Sequence, residues 1–103
     1  MMNLEVIRLR SAEGNHQAVE EVLESLSKWN LSEASEIRAY RHVALNTDWM
    51  ITVLWDEAPM DSHGSTLGLH LVEAFKELGL VDHGVWQERN LKMPVPPGER
   101  HER

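Results

Sequence analysis

Trp55 closes an apolar run, and His63 and His70 lie on the segment that follows it, so side chains able to do chemistry fall close together along the chain. An imidazole titrates near neutrality, and His63 or His70 would serve as general acid, general base or ligand-orienting group at the rim of a pocket. Equally, each suits the margin of an amphipathic helix as a half-exposed side chain bonded to water. Trp55 offers a flat face for a planar ligand and an indole N–H as its polar point. A shared metal is not expected: the two histidines are seven residues apart, roughly 10 Å along a helix, whereas a metal–nitrogen bond is about 2 Å. There is no cysteine, and neither a glycine-rich phosphate loop nor a nucleophile elbow is present. Proton transfer or ligand binding is left as the chemistry to expect, rather than hydrolysis.

These residues need elements to position them. Residues 49–55, Trp-Met-Ile-Thr-Val-Leu-Trp, read as a strand covered on both faces. The run breaks at Asp56-Glu57-Ala58-Pro59 and reopens as a helix over 62–78, with Gly64, Leu67, Gly68, Leu71, Ala74, Phe75 and Leu78 on its buried stripe. His63 and His70 fall along one margin of that stripe. Leu67 and Leu71 are the candidate ligand contacts beside them. Gly79 stands where a left-handed residue would end the helix.

Upstream, residues 4–10 form a β-type run, and Ser11-Ala12-Glu13-Gly14-Asn15 suits a turn in which Asn15 or Ser11 caps a first helix over 15–29. Alternation over 36–46, followed by Asn46-Thr47-Asp48, predicts a hairpin with 49–55. Tyr40 and His42 share one face of that strand with Arg38 and would line either the pocket or a subunit interface; the alternation does not choose. Residues 81–90 form the last strand. Trp29 and Trp86 read as fillers of the core or of an interface.

The order β-α-β-β-α-β predicts an α+β, ferredoxin-like split βαβ domain over residues 1–92, with a four-stranded antiparallel sheet and two helices on one face. The proline-rich segment 93–103 is expected to be a flexible tail. Because the strands read apolar on both faces, the uncovered face is expected to pack against a second copy, making a homodimer.

Seventeen acidic against ten basic residues, a net charge of −7, would repel a nucleic-acid backbone. No apolar run approaches the roughly 18 residues of a membrane span, and no leader-like start is seen, so no membrane partner and a cytoplasmic location are expected.

With these elements in place the chain resembles the dimeric α/β-barrel superfamily, in particular its antibiotic biosynthesis monooxygenase-like branch. The resemblance runs nearly to Asn90. It is carried by Ser11-Ala12-Glu13-Gly14 before helix one, the strand ending in Trp55, the Asp56-Glu57-Ala58 link, His63 near the start of helix two, and Val85-Trp86-Gln87-Glu88 in the closing strand. It implies two subunits joined through their sheets and a mostly apolar pocket between sheet and helices. It also implies oxidation of a small aromatic, polyketide or quinol-like substrate without a cofactor, with Trp55 in the pocket and His63 or His70 as the helix-two histidine. Such oxygenases place a polar partner beside the tryptophan, whereas the same-face neighbours here are Val53 and Ile51. The alternative within the same fold is a non-catalytic dimer that binds a small molecule or haem, for which one imidazole suffices.

Overall fold

Strand alternation divides the sheet into two chemically different faces. The computed structural model describes residues 2–28, 34–56 and 63–89. In β1 (Asn3–Ser11) every second residue, Asn3, Glu5, Ile7, Leu9 and Ser11, is buried, while Arg8 and Arg10 between them are exposed. β1 pairs antiparallel with β3 (Asp48–Trp55) and with β4 (Gly79–Gln87), and β2 (Ala34–Arg41) pairs with β3. The strand order is β2-β3-β1-β4. Helices α1 (His16–Ser25) and α2 (Thr66–Lys76) complete an α+β domain consistent with the ferredoxin-like arrangement.

The buried face and the helices share one core. Ile7, Leu9, Trp49, Ile51 and Val53 from the sheet pack with Val19 of α1 and with Leu67, Leu71, Val72 and Phe75 of α2. Each such side chain stabilises the fold by about 1.5–3 kcal/mol through removal from water.

Among the described residues the opposite face carries no helix. Leu80 is 76 %, Trp86 65 % and Tyr40 42 % exposed. Between them run the ion pairs Arg8–Asp82 at 2.6 Å, Arg10–Asp48 at 2.9 Å and Arg38–Glu36 at 2.7 Å.

Several element ends differ from those expected, each for a local reason. β2 ends at Arg41, because the His42 ring takes over as a turn organiser: its Nδ1 accepts the Ala44 and Leu45 N–H groups at 3.0 and 3.1 Å. α1 stops at Ser25 and tightens into a 3₁₀ turn over Leu26–Lys28. Asn15 occupies the cap position of α1 without a side-chain cap; its Nδ2 instead donates to the Leu78 carbonyl at 3.1 Å, tying the start of α1 to the end of α2. α2 begins at Thr66, with Ser65 as its cap, and ends at Lys76.

Gly79 is not a left-handed helix end. The glycines with positive φ are Gly14 and Gly64, and Gly79 is the first residue of β4, where a Cβ would strike the Arg10 carbonyl. Its smallness permits strand contact rather than a turn. Trp29, most of the link after Asp56, the expected strand end at Asn90 and the tail 93–103 lie outside the described residues.

Candidate functional site

A carboxylate sits on the buried face of β1, in the same alternation as Ile7 and Leu9. Glu5 is fully buried. A charge in that position is stable only when its oxygens are fully bonded, and three donors and an imidazole nitrogen converge on it. Trp55 Nε1–H, from the end of β3, donates to Oε1 at 3.0 Å. The Ser65 hydroxyl donates to the same oxygen at 2.6 Å, and the Ser65 backbone N–H donates to Oε2 at 3.0 Å. Nε2 of His83, on β4, lies 2.6 Å from Oε2.

Local structure explains how these groups arrive. Ser65 caps α2, its Oγ accepting the Gly68 N–H at 2.9 Å, so the helix start is presented directly to the carboxylate. An anion is favoured at a helix N-terminus by the orphan N–H groups and the dipole. Gly64, at φ +88°, and Gly68 leave the space that Glu5 fills: a Cβ on either would overlap the carboxylate, and one on Gly64 would also overlap the His83 ring. β4 is an edge strand, and its pairing sets His83 opposite Ile7 and Val85 opposite Glu5. The His83 side chain is 15 % exposed.

The structure brings one of the expected catalytic residues, Trp55, into this cluster, half-buried and packed against the core. His63 and His70 are both exposed, one before α2 and one on its outer side. Leu67 and Leu71 are 8 % and 0 % exposed and belong to the core. Tyr40 lies on the helix-free face, opposite Met50 of β3, and both it and His42 are exposed.

Those last two residues line a concavity of about 730 Å³ on that face, together with Arg8, Arg10, Met50 and Leu80. Neither His63, His70 nor Trp55 lines it. At its edge Asp48 is held below the usual carboxylate range by hydrogen bonding from Arg10, and Arg10 is raised in turn. Trp49, under the hairpin, is 6 % exposed, with the His16 ring 5.3 Å away and the Arg41 guanidinium 5.8 Å from its centroid. Among the described residues no group of three or more histidines and carboxylates could hold a metal ion.

Glu5, Ser65 and His83 were not singled out from the sequence. A signal existed for Glu5, a charged residue interrupting the Ile7 and Leu9 alternation, and for His83, between Val81 and Val85. Neither signal says which partner would meet it.

No protein-family model, curated protein or solved structure matches the chain.

Proposed function

We propose that the protein is a small-molecule oxygenase of the antibiotic biosynthesis monooxygenase-like type, acting without a cofactor on a planar phenol or quinol and working in the cytoplasm as a homodimer joined through the helix-free sheet faces. The observation that carries this reading is the state of Trp55. Its ring is half-buried at the end of β3, and its N–H is held at 3.0 Å by a carboxylate that is itself fully buried. An indole locked in this way presents a fixed face on which a planar ligand stacks at little cost in side-chain ordering. The exposed Leu80, Trp86 and Tyr40 support the homodimer, because large apolar side chains on an uncovered sheet face lose their contact with water when a second copy packs there, with the ion pairs between them set to pair across the interface.

Chemically, the protein's task is to bind the substrate, ionise its hydroxyl group and keep water from the resulting oxyanion, which gives up an electron to dioxygen far more readily than the neutral phenol does. Haem ligation fits poorly. It calls for an apolar cleft beside one imidazole, whereas His63 and His70 are exposed and neither lines the concavity described above.

A second reading, a non-catalytic binder of the same fold, is favoured by one observation. Leu67 and Leu71 are core residues at 8 % and 0 % exposure, so that part of the space between sheet and helices is filled. Oxygen consumption and tryptophan fluorescence, followed over a panel of hydroquinones and anthrols with a chelator present, separate the two. Catalytic uptake that falls in Trp55→Ala supports the oxygenase. Quenching without uptake supports the binder, and neither response sinks both.

A further inference from the structure

We infer that His83 is the acid–base residue of the site beside Trp55, and that Glu5 is the positioning residue that sets its tautomer; the inference rests on the Trp55 reading above. Hydrogen-bond arithmetic carries it. The Trp55 N–H and the Ser65 backbone N–H can only donate. The Ser65 hydroxyl, whose oxygen already accepts the Gly68 N–H, points its hydrogen at Oε1. With the His83 nitrogen, 2.6 Å from Oε2, as the fourth donor, every contact of Glu5 is met by an ionised carboxylate, and the start of α2 favours that anion over a neutral acid donating to a bare Nε2; the hydrogen is therefore assigned to Nε2.

With Nε2 protonated, Nδ1 of the neutral ring holds the lone pair. Nδ1 takes the proton from a substrate O–H, leaving a substrate oxyanion and an imidazolium; the oxyanion passes its electrons to dioxygen, and the imidazolium returns the proton to the oxygen so reduced. The imidazolium is stabilised by the buried Glu5 carboxylate, which stays ionised throughout; this is the arrangement by which a buried carboxylate holds an imidazole in its working tautomer.

Geometry supports the assignment in a second way. Glu5 holds Trp55 through Oε1 and His83 through Oε2, so one anchor fixes both the stacking surface and the base. His83, 15 % exposed, reaches the protein surface, and Glu5 does not. Of the titratable groups facing the ring, Glu5 comes from β1; Gly64 and Ser65 before α2 bring no charge. Asp82, its neighbour on β4, is paired with Arg8 on the other face.

The test has two readouts. Nitrogen-15 NMR of the imidazole in the wild-type chain should show Nε2 carrying the hydrogen and Nδ1 bare, and in Glu5→Gln that preference for the Nε2–H tautomer should be lost. This readout needs no substrate, so it stands even where no compound of the panel consumes oxygen and the Trp55 reading has failed. A wild-type ring with its hydrogen on Nδ1, or a tautomer unchanged in Glu5→Gln, overturns the dyad. With a turned-over substrate, His83→Gln should lower kcat by about 10²–10⁴-fold while fluorescence quenching by the ligand persists. Full turnover in a folded His83→Gln, or a larger loss in His63→Ala or His70→Ala, overturns the assignment.

Discussion

Nε2 of His83 on β4 lies 2.6 Å from Oε2 of Glu5 on β1, although 78 positions separate the two residues in the chain. The contact is diagonal across the β1–β4 pair, in which Glu5 stands opposite Val85 and His83 opposite Ile7. Strand pairing therefore creates the dyad, and the capped start of α2 encloses it.

Removing the carboxylate should cost more than removing an apolar neighbour. Glu5→Ala leaves the Trp55 and Ser65 donors and the His83 ring without their acceptor, and loss of one member of a buried charged network is worth about 3–5 kcal/mol. Urea denaturation of wild type and variant measures it. A loss below about 1 kcal/mol would mean that water replaces the carboxylate freely.

Gly68→Ala gives a test of sign. Within a helix the exchange stabilises by about 0.8–1 kcal/mol when the new methyl has room. Here the methyl would overlap the Glu5 carboxylate, so a net loss of about 1–3 kcal/mol is expected instead. A more stable variant in the same denaturation experiment would show that Glu5 does not occupy this position.

Acid sensitivity should trace partly to the Arg10–Asp48 pair. Asp48 titrates below its ordinary value in the folded chain, chiefly through the Arg10 hydrogen bond. Its contribution is present above the unfolded pKa, about 3.9, and is lost as pH falls through the lower folded value. In Arg10→Leu the Asp48 carboxyl should titrate closer to its ordinary value, which a carbon-13 NMR titration reads directly. The stability difference between wild type and variant should close toward acid pH. An unmoved titration would remove Arg10 as the cause.

The homodimer should depend on the helix-free face. Sedimentation at micromolar concentration is expected to show twice the 11.8 kDa chain mass for the wild type. A Leu80→Glu/Trp86→Glu variant should sediment as a monomer, with its helical circular dichroism unchanged. A wild-type monomer under those conditions defeats the homodimer.

The sequence by itself determined the elements and their order. The unbroken apolar run ending in Trp55 specified β3, and the stripe through Leu67, Leu71 and Phe75 specified α2, because periodicity is a relation among residues adjacent in the chain. The same local logic set Trp55 beside the start of helix two. It also expected His63 and His70 on one margin of helix two, but α2 begins only at Thr66, so His63 precedes the helix and only His70 lies on it, and both are exposed. Only the tertiary structure decided the polar centre. Whether Glu5 is a charged interruption or the anchor of a site depends on Ser65, 60 positions away, and His83, 78 away, and register brings them together, not propensity. The face occupied by Tyr40 was decided in the same way. Its alternation fits either side of a sheet, and the β2–β3 pairing placed it opposite Met50, on the side that no helix covers.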